Sequence, residues 1–417
     1  MSIRQRIVSY KTLNSAFTPY LARMEQTPGL ESTTGEAVAP PPASALAAVS
    51  SGLQILEKES RNPDVMSGTE DLVASLIQTY TVQQAKQFVP AASDGLEAQF
   101  DSHDVLGWAG SFLTWWKKIV PHAWQAPQSW PDAIADRFRA AVFGDWGTGL
   151  YGAPVLARAI ATDKAGFQLI LHLGDTYYSG DTGEIQERLL ADWPAVAGAV
   201  NRSLNGNHEM YTGGHAYFDT ALKKFAQPSS CFALQNDHWL LVGVDSAYAD
   251  HDLYDKQMPW LESVLGQCGA RKLILFSHHQ PFSLLDVQGP KLVAKLEKYL
   301  DNKRVFAWYW GHEHRCVLYD AHPAWGLRGR CIGHGGFPYF RDGGLGAAPA
   351  KPAWARMNSK NLVPGGEMLD GVNPYISGHE TEYGPHGYVV LEFDGPGLNE
   401  FIVDPDGTPL RTQQLAP

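Results

Sequence analysis

Residues 169–178 read LILHLGDTYY, and no other stretch restricts the fold as much. Four apolar residues, Leu169, Ile170, Leu171 and Leu173, run into Gly174 and Asp175. Such a run suits a strand buried in a parallel sheet. The Gly-Asp that ends it sets a carboxylate on the carboxyl edge, where open α/β sheets bind ligands. Four further segments repeat the design. Ala140–Phe143 enters Gly144-Asp145, and Ala199–Leu204 enters Asn205-Gly206-Asn207-His208-Glu209. Lys272–Phe276 enters Ser277-His278-His279, and Val305–Trp310 enters Gly311-His312-Glu313-His314. One Gly-Asp turn is commonplace, but a series of polar strand ends can converge on Asp175.

From Arg139 onward short apolar strands alternate with helix-like stretches, Pro154–Ala161 and Glu184–Leu190 among them. Cys231–Leu234 and His238–Val244 read as a hairpin around Gln235-Asn236-Asp237. Further strands at Cys316–Tyr319, Leu327–Ile332, Tyr388–Phe393 and Glu400–Val403 are expected to complete a second sheet. Alternation followed by a run of strands predicts an α/β fold, a four-layer α/β/β/α sandwich. Gly343–Gly371, rich in Gly, Ala and Pro, reads as a long surface excursion edging the site.

Residues 1–139 differ in style and are expected to form a helical segment, a cap or partner-binding module, ahead of a catalytic domain at 140–417. Glu36–Ala45 (EAVAPPPASA) reads as a linker or turn. Leu53–Leu56, Leu72–Ile77 and Val105–Val120 carry helix-like apolar patterns, with Asp101 or Ser102 as a cap and Pro121 as a stop for the last. This segment shows no metal-ligand or nucleophile constellation.

The chain of 417 residues has a formal net charge of -11 and no cluster of Lys and Arg. That argues against a long polyanion such as duplex DNA, whose affinity comes largely from phosphate neutralisation. Small phosphate esters stay open, because a bound metal supplies positive charge locally. Cys231, Cys268, Cys316 and Cys331 show no CxxC spacing. With no signal peptide seen and no membrane-length apolar run, a reduced, cytoplasmic protein is expected.

The strand ends collect Asp145, Asp175, Tyr178, Asn207, His208, His278, His312 and His314. Carboxylate, phenolate, amide oxygen and imidazole suit Fe, Mn or Zn. The set is too large for one zinc and about right for two ions sharing a bridge, the usual device for in-line phosphoryl displacement. In order, GDWG, GDTYY, GNHE, SHH and GHEH resemble the calcineurin-like metallophosphoesterases. Within them the set is similar to the purple acid phosphatase branch. Gly147 stands where most of the superfamily have a ligand His, and Tyr178 stands three residues after Asp175, where that branch has a phenolate. Gly333-His334-Gly335-Gly336 is similar to a glycine-rich strand end of the same branch. The resemblance does not reach residues 1–139.

The resemblance implies a first metal held by Asp145, Asp175, Tyr178 and His314, with iron at the Tyr178 site. Asp175 would bridge to a second ion (Fe, Zn or Mn) completed by Asn207, His278 and His312. It implies an acid-phosphatase-like hydrolase of phosphate monoesters, with metal-bound hydroxide attacking phosphorus. His208, with Asp175 a catalytic residue, would assist over the substrate phosphate, and Glu209 would orient it. His278 and His279 compete for one ligand role, and relatives favour His278. His215 and His334 are expected to contact substrate. The alternatives are a phosphodiesterase (cyclic nucleotide, glycerophosphodiester or nucleic-acid end) and a scaffold protein with a vestigial metal site. The expected partner is a small phosphate ester, with no membrane and no strong nucleic-acid signal; a protein partner would belong to the helical segment.

Overall fold

In a computed structural model, the structure describes residues 43–59, 69–88, 112, 115–116, 118–341, 345–346 and 363–417. These fall into two compact units: residues up to Pro121 with Tyr211–Gly213, and His122–Met210 with Gly214–Pro417.

In the first unit, helix α1 spans Ala43–Glu59 and α2 spans Leu72–Phe88. Val49, Leu53 and Leu56, spaced by four and three residues, are buried on α1, as are Ala74, Leu76, Ile77 and Tyr80 on α2. That spacing is the apolar face of an amphipathic helix. Asp71 caps α2, its Oδ1 accepting the Ala74 N–H at 2.8 Å. The linker read at Glu36–Ala45 lies outside the described residues except for its last three, which open α1. Most of Val105–Val120 also lies outside them; within it, the Phe112 and Trp115 rings each sit 5.7 Å from Tyr80.

The second unit holds two sheets. The six-stranded one has the order β14-β13-β12-β2-β3-β4. Here β2 (Arg137–Phe143), β3 (Leu169–His172) and β4 (Val200–Ser203) run parallel. Antiparallel to β2 lies β12 (Tyr388–Asp394), followed by β13 (Gly397–Val403) and β14 (Pro409–Ala416). The eight-stranded sheet has the order β1-β5-β6-β7-β8-β10-β9-β11. Its β6 (Trp239–Gly243), β7 (Lys272–Ser277), β8 (Val305–Trp310) and β10 (Arg328–Ile332) are parallel neighbours. Short β1 (Asp132–Ala133) and β5 (Phe232–Gln235) close one edge, and β9 (Cys316–Ala321) and β11 (Gly366–Met368) the other. Residues 122–139 thus group with this unit, because β1 pairs with β5 and β2 begins at Arg137.

Strand alternation builds the layers. Ala140 and Val142 of β2 pack with Leu169, Leu171, Ile274, Phe276, Ala307 and Tyr309, so the inner faces of both sheets share one core. Ala141, Phe143 and Ile170 point the other way, onto Leu156 and Ile160 of α3 (Ala153–Thr162). On the far side, Leu240, Val242, Leu275 and Trp308 meet Leu261 and Leu265 of α4 (Met258–Gly266) and Leu292 and Leu296 of α5 (Pro290–Asp301). The result is the α/β/β/α sandwich.

Two expectations change. The four late strands do not make one sheet: β9 and β10 join the larger, whereas β12 and β13 extend the smaller through antiparallel pairing with β2. The hydrophobic pattern marks a strand but does not name its neighbour. Within Gly343–Gly371 a strand forms, β11, pairing antiparallel with β9, while most of that stretch lies outside the described residues. Among the described residues no helix is long and apolar enough to cross a membrane.

Candidate metal centre

Parallel pairing puts the ends of β2, β3 and β4 on one sheet edge and those of β7 and β8 on the other sheet's matching edge. The residues just past those ends are where the chain must turn, and the turns are tight. Asp145, Asp175, His312 and His314 have φ of 53°, 71°, 70° and 53°. Non-glycine residues rarely enter this left-handed region, and such strain concentrates at functional sites at a cost of about 1–3 kcal/mol each. Two glycines leave room for the carboxylates. A Cβ on Gly206 would lie 2.0 Å from Asp175 Oδ1, and one on Gly311 2.7 Å from Asp145 Oδ2.

The polar tips meet. One ligand atom from each of Asp175, His278 and His312 lies within 4.8 Å of the others, and the same holds for Asp145, Asp175 and His314. Asp175 belongs to both groups. The His278 ring donates from Nδ1 to the Leu173 carbonyl at 2.9 Å, which leaves its Nε2 lone pair facing inward. That Nε2 lies 3.0 Å from Asn207 Oδ1 and 3.3 Å from both Asp175 Oδ2 and His312 Nδ1. Asn207 Oδ1 is also 3.1 Å from His312 Nδ1. Asp145 Oδ1 stands 3.6 Å from His314 Nε2, while its Oδ2 accepts the His312 N–H at 2.7 Å.

So many acceptors aimed at one another, with Asp145 and Asp175 wholly buried, is the donor chemistry of a cation site. The electrostatics agree. Burial alone would raise the Asp175 carboxyl, yet His278, His208 and His312 hold it well below the usual carboxylate range. Burial alone would lower the His278 imidazole, yet Asp175 and Asp145 push it up to about 10. The pocket strongly favours positive charge.

Tyr178 requires a correction. Its ring lies under the Arg188 guanidinium, 5.3 Å from carbon to centroid, and its buried hydroxyl has no hydrogen-bond partner among the described residues. Burial raises that hydroxyl well above the ordinary phenol value. The phenol that reaches the cluster is Tyr177, which donates to Asp175 Oδ2 at 2.9 Å and contacts His314 Nε2. Its ring stacks on Phe337 and leans on His208, both at 3.9 Å between centroids. Adjacent tyrosines in a turn carry no periodicity that tells which faces inward, so the doublet was the only signal.

His208 is buried beside the cluster, its Nε2 3.9 Å from Asp175 Oδ2. Its Nδ1 donates to the Tyr178 carbonyl. Glu209, expected to orient His208, grips the turn: its carboxylate accepts the N–H groups of Asp175 (3.1 Å), Thr176 (2.7 Å) and Gly206 (2.9 Å). Burial and then Asp175 raise this carboxyl to about 7, with the backbone donors opposing.

His278 and His279 face different neighbours, and each falls in a candidate ligand group, His278 with Asp175 and His312 and His279 with His251 and His312. His278 faces Asp175, whereas His279 Nδ1 pairs with Ser246 Oγ at 3.0 Å and its ring lies 3.8 Å from His251 and 4.6 Å from His312. His251, which sequence reasoning passed over, thus comes within reach of the site from a segment with no motif. The two expected substrate contacts are not brought into either group. His215 assembles with His122 and Asp219 instead. His334 is fully buried beside His386, with neither ring nitrogen hydrogen-bonded among the described residues, and burial lowers it to about 3.

Residues 138–316 match the family model for calcineurin-like phosphoesterases. No curated protein matches by sequence. Among solved structures, the purple acid phosphatase PPD1 from yellow lupin (Lupinus luteus) seeds aligns at 15% identity and a TM-score of 0.49. The alignment covers 67% of this chain and 54% of that one, so the chain spans about half of that relative's length. GAP50, the anchor in the inner membrane complex of Plasmodium, aligns at 14% identity over 67% of this chain and 89% of its own, with a TM-score of 0.47. A dimetal phosphatase from Danio rerio aligns at 10% identity over 67% and 98%, with a TM-score of 0.42. All the strand-tip residues from Asp145 to His314 lie within the segment that is similar to the calcineurin-like phosphoesterase model.

Proposed function

We propose that this chain hydrolyses phosphate monoesters at a centre of two cations. The observation that carries the reading is the meeting of buried Asp145, Asp175, Asn207, His278 and His312 with partly exposed His314, their acceptor atoms facing one another. Asp145, His314 and a phenol would hold one ion, Asn207, His278 and His312 the other, with Asp175 between them. Such ions polarise phosphoryl oxygens and lower the pKa of water.

The chain's own groups have separate tasks. The Leu173 carbonyl fixes the His278 tautomer, so Nε2 keeps its lone pair for a ligand bond. Glu209 ties three backbone N–H groups together and so locks Asp175 relative to Asn207. With Nδ1 anchored on the Tyr178 carbonyl, His208 holds its mobile proton at Nε2, the atom facing the cluster, and delivers it to the leaving oxygen. The monoester preference and iron at the phenol-bearing position rest on the likeness of GDTYY, GNHE and GHEH to purple acid phosphatases. With Tyr177 turned to Asp175, the phenolate in this reading is Tyr177; the second ion is Fe, Zn or Mn.

The test is turnover of p-nitrophenyl phosphate against bis(p-nitrophenyl) phosphate after reconstitution with Fe, Zn or Mn. The monoester is expected to turn over at least about tenfold faster, and Asp175→Asn to lose about a thousandfold or more, on the scale of removing a main electrostatic contact. Faster diester cleavage would replace the monoesterase by a phosphodiesterase. No cleavage of either ester with any metal would leave the scaffold reading.

A further inference from the structure

Away from the strand tips, His122, His215 and Asp219 form another group whose ligand atoms lie within 4.8 Å of one another. It shares no residue with the candidate metal centre. His215 and Asp219 stand four residues apart on a helical segment, residues 215–224, which sets them on one face. His122 comes from the loop ahead of β1.

The His122 ring is held on three sides. It stacks on Phe218, with 4.8 Å between centroids and 11° between planes. It meets the His215 ring edge-on at 5.3 Å. Its Nδ1 donates to the Ala123 carbonyl at 2.7 Å. That last bond settles the tautomer: neutral His122 carries its proton on Nδ1 and presents the Nε2 lone pair. The lone pair faces Asp219 Oδ2 at 3.4 Å. Two acceptors confronting each other require a proton or a metal ion between them. The His122 side chain is 16% exposed and that of Asp219 49%, so an ion has a path in and a position left for water.

We propose that His122, His215 and Asp219 bind a divalent transition-metal cation, of the class represented by zinc. Two imidazoles and one carboxylate oxygen, with an open fourth position, form a tetrahedral zinc ligand set. Asp219 has an oxygen to spare for it, since Lys223 Nζ takes Oδ1 at 2.9 Å and leaves Oδ2 toward His122. The Lys223 ammonium weakens the site by repulsion. The ion would act as a clip. The His122 carbonyl accepts from Tyr248 Oη at 2.7 Å, and the Gln125 carbonyl from Ser229 Oγ at 2.7 Å, so the same loop is already tied to two other elements.

The experiment is zinc content per chain after equilibrium dialysis at micromolar zinc, by plasma mass spectrometry, on the full protein, Asp219→Asn and His215→Ala. Wild type is expected to hold one more zinc than either variant, and zinc is expected to raise its Tm more than theirs. Both variants change half-exposed or exposed side chains, and circular dichroism checks their fold. Equal zinc counts in all three proteins would overturn the proposal and leave His122 and Asp219 as an ordinary side-chain contact. Loss at the strand tips does not imitate this result, because Asp175→Asn lowers the count while leaving the difference due to Asp219→Asn in place.

Discussion

Gly206→Ala tests whether the Asp175 carboxylate is positioned by packing. The added Cβ would lie 2.0 Å from Asp175 Oδ1, 2.6 Å from the Asp175 backbone nitrogen and 2.8 Å from Glu209 Oε2. Ordinary contact begins at 3.4 Å, so the first of these is short by about 1.4 Å. None of the three atoms is the loose end of a flexible chain. Asp175 Oδ1 accepts the His208 N–H, its N–H is held by Glu209, and Glu209 also holds Gly206 itself. The turn must therefore open, and a displacement of about 1 Å at reacting groups costs about a hundredfold in rate. Overpacking of this kind also removes about 1–3 kcal/mol of stability. Gly266→Ala is the control: its Cβ would meet nothing within 4 Å, and it sits at the end of α4. It should leave rate and Tm unchanged or raise Tm slightly. Steady-state hydrolysis of p-nitrophenyl phosphate, metal content and Tm for both variants decide the matter. Wild-type kcat and metal content in Gly206→Ala would refute the reasoning.

Tyr177→Phe should alter metal content or remove any visible absorption of the iron-loaded protein, while Tyr178→Phe should keep both; a spectrum lost only in Tyr178→Phe would restore the sequence-based assignment. His208→Ala should lower kcat by about 10²–10⁴-fold with metal content intact, read by kinetics beside metal analysis; unchanged kcat would remove it from proton transfer. Because His278 in the ion-free pocket holds a proton up to about 10, a cation entering at pH 7 must displace it. The apparent metal affinity should then rise about tenfold per pH unit from 7 to 9, with proton release seen by calorimetry in buffers of different ionisation enthalpy; a flat profile would contradict the placement of His278.

The apolar runs of β2, β3, β7 and β8 and the polar residues that end them were legible, because a strand's length and its terminating turn are local properties. The resemblance names Asp145, Asp175, Asn207, His278, His312 and His314 among those endings, and parallel pairing sends the strand ends that carry them to matching edges. Sheet membership of β12 and β13 was not legible, for nothing in Tyr388–Phe393 says that its neighbour is β2, about 250 residues earlier. Tyr177 was missed because the resemblance puts the phenol three residues after Asp175, at Tyr178, whereas in the folded chain it is Tyr177 that donates to Asp175. His251 reaches His279 and His312 from a loop without repeat or motif, so only the folded chain reveals it. His215 was expected to contact substrate, and the fold gives that residue a different set of neighbours, His122 and Asp219.

Anomalous diffraction from crystals of the metal-loaded protein, collected at the absorption edge of the ion supplied, measures the central claim. Two peaks are predicted at the strand tips, one beside Asp145 and His314 and one beside Asn207, His278 and His312, with Asp175 touching both. A single peak there, or none, in protein that turns over phosphate esters at full rate would contradict the two-cation centre.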